Sequence, residues 1–203
     1  MAAATVAIAV REAGAGDHDV LTQSLANAFF EDPFACWAAP HEASRKRLLR
    51  RFFAAYLVAK QRHDCVWTDH ALTGAALWLP PGYWRTTLRE DLSLLPCVLQ
   101  RRLLARAPMV GYGLFGVEHA HPSTPDHFYL ATLGVSPAGQ GAGVGSALLA
   151  PVLEICDRDG MPAYLEASKF DNIDFYARHG FRVTGELKLP RGPSVYPMWR
   201  EPR

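Results

Sequence analysis

Residues 128–146 read FYLATLGVSPAGQGAGVGS, and the reading of this stretch decides the fold. Phe128 to Val135 is an apolar run rich in β-formers, as expected of a strand buried on both faces. Ser136-Pro137 ends it, because proline cannot donate to a ladder and restricts the residue before it. Gly139, Gly141, Gly143 and Gly145 then alternate with Gln140, Ala142 and Val144. From there Val144, Ala147, Leu148, Val152 and Ile155 fall at helical spacing. A helix start leaves about four N–H groups without partners and carries roughly half a positive charge. Glycines there let a phosphate oxygen reach the bare backbone. The stretch therefore predicts strand, anion cradle and helix in succession, with a pyrophosphate as the natural occupant. Counted from Gly141, a dinucleotide fingerprint would need glycine where Ser146 stands. A triphosphate loop would need a lysine, and none lies between Lys60 and Lys169.

Working outward, the pattern predicts a strand over Thr5–Val10, a helix over Val20–Phe29 stopped by Glu31-Asp32-Pro33, and a helix over Glu42–Gln61. The cations Arg45, Lys46, Arg47, Arg50 and Arg51 in that second helix read as a solvated face. Cys65–Thr68 and Gly74–Leu79 form a hairpin pattern; Leu88–Ala107 reads as a helix broken at Pro96, and Pro108–Pro125 as a loop or short mixed segment. Past the cradle, the helix carries Pro151 inside it and closes at Gly160. A strand over Ala163–Ala167, a short helix over Ile173–His179, and an antiparallel pair over Arg182–Leu189 and Ser194–Arg200 follow. Two parallel strands joined by one helix, with antiparallel strands on either side, make an α/β fold with a central mixed sheet flanked by helices.

Composition excludes several classes. The 203 residues are 49% hydrophobic and 20% charged, which suits one folded domain and not a disordered chain. A net charge of +1 offers no basic excess for nucleic acid. No apolar run approaches the ~20 residues needed to span a bilayer. The start, MAAATVAIAVREAG, lacks a basic n-region, which argues against a secretory signal, so a cytoplasmic protein is expected. Cys36, Cys65, Cys97 and Cys156 lie far apart and read as free thiols. His119 and His121 flank Ala120 with no carboxylate or cysteine beside them, so no metal is expected.

The second informative stretch runs from Tyr164-Leu165-Glu166-Ala167-Ser168 to NIDFYARHGF, Asn172–Phe181. Asn172 is placed to cap the short helix, and Gly180 to end it in the left-handed conformation with Phe181 as the hydrophobic contact. Together, Val135-Ser136-Pro137 with Gln140-Gly141-Ala142-Gly143-Val144-Gly145, and N-x-x-F-Y-x-x-x-G-F, resemble the two signatures of the GCN5-related N-acetyltransferase (GNAT) superfamily. Within it, residues 128–200 are densely similar to the puromycin N-acetyltransferases, and the upstream half only thinly.

The resemblance implies one N-acetyltransferase domain over 1–203, with 1–126 on the acceptor side and 127–203 binding acetyl-CoA. Leu133, Gly134, Val135, Gln140, Gly141, Ala142, Gly143, Val144, Gly145, Ser146, Asn172 and Phe175 would hold the acetyl-CoA. Ala142 departs from the family, whose loops often carry a cation there. The superfamily's bulged strand also implies that the Val135 N–H polarises the thioester. An acceptor ammonium of pKa about 10.4 costs about 4.6 kcal/mol to deprotonate at neutral pH, so a base is needed. Glu166, a carboxylate in an otherwise apolar strand, is the candidate, with a surface ion pair as the alternative reading. Tyr176 is the candidate acid: the resemblance places it beside the CoA sulfur, though helix-to-sheet packing fits its spacing equally. Glu31 and Asp32, with Phe34, Trp78, Tyr83 and Tyr129, are candidates for holding a small amine acceptor, for instance an aminonucleoside such as puromycin. A protein amine as acceptor, or a non-catalytic acyl-CoA sensor, are the alternatives. A monomer or a homodimer fits equally.

Overall fold

The computed structural model describes residues 8–60, 65–85, 87, 94, 96–97 and 101–203. Its strands are β1 (Val10–Glu12), β2 (Val66–Asp69), β3 (Gly74–Leu79), β4 (Phe128–Val135), β5 (Ala163–Ala167), β6 (Arg182–Val183), β7 (Leu187–Lys188) and β8 (Ser194–Arg200). They form one mixed sheet in the order β1-β2-β3-β4-β5-β8-β6, with β7 also paired to β8. Every pairing is antiparallel except β4 with β5. The helices are α1 (His18–Ala28), α2 (Pro33–Ala38), α3 (Glu42–Lys60), α4 (Arg101–Leu104), α5 (Ala107–Ala120), α6 (Val144–Asp159) and α7 (Ile173–Arg178).

Two apolar clusters fill the faces of the sheet. On one, Leu148, Leu149, Val152 and Cys156 of α6 pack on Trp78, Leu130, Leu165 and Met198. On the other, Leu21 and Leu25 of α1 and Leu49, Phe53 and Leu57 of α3 pack on Val66, Ala75 and Leu77. α1 crosses β4 at Gly134, where an added Cβ would lie 2.7 Å from Phe29 and 2.8 Å from Leu25. Any side chain there would push the helix off the strand. α6 continues through Pro151 for 16 residues.

Several expectations need correction. The helix expected to stop at Glu31-Asp32-Pro33 ends earlier, at Ala28, and Asp32-Pro33 starts the next one: Asp32 Oδ1 accepts from the Phe34 and Ala35 amides at 2.9 and 3.2 Å, and Pro33 takes the first turn of α2. Residues 108–120, read as a loop or short mixed segment from their glycines, are helical together with Ala107. Gly113 is a packing glycine there, since a Cβ would lie 2.7 Å from Trp37. Asn172 makes no capping bond; a 3-10 turn over Phe170–Asn172 runs directly into α7. Gly180, at φ +93, does end that helix, with Phe181 buried behind it and donating to the Tyr176 carbonyl. The strand expected over Arg182–Leu189 is two short ones, β6 and β7, both on β8. Residues 5–7 of the expected first strand, Gln61, and most of the expected 88–107 helix lie outside the described residues.

Candidate active site

The site arises where β4 and β5 part. Their parallel ladder covers only Phe128–Leu130 against Ala163–Leu165. Beyond it β4 stays on β3 while β5 stays on β8, and a cleft of about 760 Å³ opens between them. A bulge marks the divergence: Leu77 faces Thr132 and Trp78 faces Leu130, so Ala131 is the extra residue on β4.

The ladder phase sets which backbone groups face the cleft. The Ser136 amide donates to the Thr73 carbonyl at 2.8 Å. Antiparallel pairs alternate, so Gly134 and Thr132 bond to β3, and Leu133 and Val135 direct their N–H and C=O groups away from it, into the gap. Gln140 Nε2 donates to the Val135 carbonyl at 2.9 Å and folds the loop back onto the strand end. Gly141 and Gly143 adopt φ of +78 and +88, a conformation glycine reaches without strain. Gly143 precedes α6 with no side-chain cap, so the first-turn amides of α6 are left for a ligand. Gly145 lies under Phe175, whose Cζ would sit 3.2 Å from an added Cβ. Ser146 Oγ lies 3.0 Å from His179 Nε2, tying the start of α6 to the end of α7.

Of the residues expected to hold acetyl-CoA, Leu133, Gly134, Val135, Gln140, Gly141, Gly143, Val144, Gly145, Ser146, Asn172 and Phe175 all line the cleft. Ala142 sits on the exposed crest of the loop and is not among them. The lining cations are Lys169 and Arg178, at the same end as α7. Sequence reasoning missed both, because nothing in the motif marks them.

Glu166 and Tyr176 also line the cleft. Tyr176 is 7% exposed, and burial, aided by the charge of Asp32, pushes its phenol pKa up. Glu166 is no surface ion pair. Its side chain is 8% exposed, and Oε1 lies 3.3 Å from His121 Nδ1, 45 residues away in sequence. Its surroundings are aromatic: burial first, then the Glu166 charge, pushes the pKa of Tyr129 and Tyr164 up. The Tyr164 hydroxyl is buried close to Glu166. His121, expected to lack a carboxylate, thus has one; His119 lies on the surface, stacked 6.0 Å from Phe115. Among the described residues no three His, Cys, Asp or Glu side chains are grouped to hold a metal ion.

The acceptor candidates divide. Glu31 and Asp32 line the cleft, with Asn27, Ala28 and Phe29 of α1 beside them. Asp32 is committed on both oxygens, to the α2 amides and to the Ser168 hydroxyl at 2.6 Å. Glu31 is exposed, 3.9 Å from Arg45. Trp78 is wholly buried under α6, because strand alternation turns it to the other face. Phe34 packs on Trp37, and Tyr83 is 56% exposed outside the cleft. Tyr129 stands behind Glu166 rather than at the cleft surface.

A sheet split between two parallel strands, with a glycine cradle at the mouth, gives a cleft suited to a ligand that carries a pyrophosphate. Residues 23–181 match the Acetyltransferase (GNAT) family, and the chain belongs to that family of N-acetyltransferases, which use acetyl-CoA. It is 29% identical over 207 residues to an uncharacterized N-acetyltransferase of Schizosaccharomyces pombe, covering 96% of this chain and 84% of the relative. A Corynebacterium glutamicum structure, described as histone acetyltransferase HPA2 and related acetyltransferase, shares its fold. The TM-score is 0.70 at 23% identity, over 98% of each chain. Arylalkylamine N-acetyltransferase 2 of Aedes aegypti gives 0.63 at 13% identity, over 97% of this chain and 99% of the other. No described helix is long and apolar enough to cross a membrane.

Proposed function

We propose that this enzyme transfers the acetyl group of acetyl-CoA directly to the amine of a small molecule, an aminonucleoside such as puromycin being one candidate acceptor. The observation that carries the reading is the meeting of Glu166, Tyr176 and the cleft-facing backbone N–H groups of Leu133 and Val135 in one cleft behind the glycine cradle. Residues 127–203 supply the cradle and both reactive side chains, and 1–126 supply the α1–α2 wall on the acceptor side.

Acetyl-CoA supplies an activated acetyl group as a thioester. The αL glycines and the first-turn amides of α6 suit its pyrophosphate, with Lys169 and Arg178 in place of a loop cation. The Val135 N–H faces the cleft, where it can stabilise charge developing on the acyl oxygen. Glu166 takes the proton of an acceptor ammonium entering past Asn27 to Asp32. Tyr176, held protonated by burial, gives its proton to the departing sulfur, whose thiol pKa is near 8.5. Among the described residues no cysteine lines the cleft, which supports direct transfer over an acyl-enzyme.

The test is thiol release from acetyl-CoA by the purified protein with puromycin and a panel of small amines, followed by the mass of each amine. Acetylated puromycin supports the full reading, and acetylation of another amine replaces the acceptor alone. Release only with a peptide or protein amine overturns the small-molecule reading, and acetyl-CoA binding without transfer to any amine overturns the enzyme reading in favour of a sensor.

A further inference from the structure

The first turn of α6 is tied to the residue that ends α7 by a side-chain hydrogen bond that the transfer chemistry does not use. Ser146 Oγ lies 3.0 Å from His179 Nε2. Ser146 is the third residue of α6 and lines the cleft, where its amide is among those left for a ligand. His179 does not line the cleft and reaches it through Ser146.

The His179 ring is held in place by the chain around it. Its own amide donates to the Tyr176 carbonyl at 2.9 Å, and its carbonyl accepts from Arg200 Nε at 2.9 Å. The ring packs 5.0 Å from that of Phe175, which in turn covers Gly145 so closely that an added Cβ would lie 3.2 Å from its Cζ. α7 therefore rests on the glycine cradle through these two rings.

Burial pushes the His179 pKa down, and the charges of Arg178, of Arg200 on β8 and of Arg203 beyond it act in the same direction. Asp157 of α6, the carboxylate of this group, is engaged by the Arg200 guanidinium and the Arg203 amide. Near pH 7, with no anion bound, His179 is thus a neutral imidazole with one ring hydrogen. Among the described residues the ring has one hydrogen-bond partner, Ser146 Oγ, so no other side chain dictates which nitrogen carries that hydrogen.

The direction of the bond decides what the cleft meets. A serine hydroxyl has one hydrogen to give. If Ser146 spends it on a bare Nε2, the hydroxyl shows the cleft lone pairs, which repel a phosphate oxygen. If Nε2–H donates to Oγ, the hydroxyl hydrogen is free to turn to the phosphate. A neutral imidazole passes between the two by losing the Nδ1 hydrogen to water as another enters Nε2, with no change of charge. A bound anion favours the second arrangement.

We infer that His179 is a positioning residue of the acetyl-CoA site, donating from Nε2 to Ser146 Oγ so that the Ser146 hydroxyl turns toward the pyrophosphate. This rests on the reading that the glycine cradle holds that pyrophosphate. The pair adds a side-chain donor to a cradle otherwise made of backbone amides, in a loop with alanine at 142.

Calorimetric titration with acetyl-CoA tests the coupling. Ser146→Ala and His179→Phe, which keeps a ring against Phe175, are each expected to weaken binding about five- to tenfold. The double variant is expected to bind no more weakly than Ser146→Ala, because His179 acts through that hydroxyl. His179→Gln, whose amide nitrogen stands in for Nε2, is expected to recover affinity to within about twofold of the unaltered protein. Additive losses in the double variant, or His179→Gln as weak as His179→Phe, overturn the inference. Ring-nitrogen NMR of the unaltered protein, with the His179 signals assigned by their loss in His179→Gln, removes any dependence on how the variants fold. With CoA bound, Nε2 is expected to carry a hydrogen, and a bare Nε2 in the complex overturns the inference. If the unaltered protein binds no acetyl-CoA, the cradle reading fails and this inference with it. Binding without the coupling overturns this inference alone.

Discussion

Ser168, at the end of β5, donates its hydroxyl to Asp32 Oδ2 at 2.6 Å, across 136 residues of sequence. The other oxygen of Asp32 caps α2, so one carboxylate pins the acceptor-side helix to the strand that carries Glu166. Asp32 is thus a strut of the cleft wall, and its charge also helps hold Tyr176 protonated. Asp32→Ala loses the cap and the tie, and is expected to cost about 1–2 kcal/mol in urea unfolding and to raise KM for the amine. Asp32→Asn, which keeps a capping oxygen, is expected to recover most of that stability.

Tyr176→Phe removes one hydroxyl from a ring packed against Phe175 and Phe181 and leaves the packing intact. Acetyl-CoA affinity is expected to stay unchanged while kcat falls about a hundredfold or more. Because burial raises the phenol pKa, Tyr176 ionisation is expected to produce no loss of activity below about pH 10. Paired calorimetry and steady-state kinetics check both points.

The cradle depends on backbone that only glycine adopts comfortably. Gly143→Ala forces a side chain into φ +88, at roughly 1–2 kcal/mol of local strain, just where the first-turn amides must face a phosphate. Acetyl-CoA binding is expected to weaken about tenfold, measured by calorimetry, with the melting temperature lowered by a few degrees.

On the proposed binding mode, the cleft cations Lys169 and Arg178 stand in for the loop cation that Ala142 cannot supply. Lys169→Ala and Arg178→Ala are each expected to weaken acetyl-CoA by about 1 kcal/mol at low salt, and less at high salt. Ala142→Arg is expected to restore affinity in the double mutant.

Arg200 is 3% exposed and holds Asp157 at 2.7 Å and the His179 carbonyl at 2.9 Å, fastening β8 to α6 and α7. Asp157→Ala leaves that guanidinium buried without its counter-charge and is expected to cost about 3 kcal/mol in urea unfolding. The Arg200 guanidinium holds the Asp157 carboxyl below the usual carboxylate range. A lowered folded-state pKa means the pair's stabilisation is present above the unfolded value of about 3.9 and is lost as pH falls through the folded one. Acid unfolding of the variant is expected to lack that component.

The glycine cradle, α6 and α7 were legible in the sequence because their signals are local: a strand end, φ-permissive glycines and helical spacing within a few dozen residues. Gly113 was not, since a glycine that lets a helix approach Trp37 looks the same in sequence as one that turns a loop. Trp78 was placed in the acceptor group, and only the strand's phase, set by its ladder with β4, shows it facing α6. The pairing of Glu166 with His121 was hidden for a different reason. It spans 45 residues and exists only because β5 lies beside β4, with the turn at His121 folded over both.

The most direct measurement is intact mass after the purified protein is mixed with acetyl-CoA, first alone and then with puromycin or whichever amine the panel selects. Direct transfer predicts that the protein mass never changes and that the amine gains one acetyl group only when all three are present. An acetyl group found on the protein before the amine is added, or no binding of acetyl-CoA at the cleft between β4 and β5, would contradict the account.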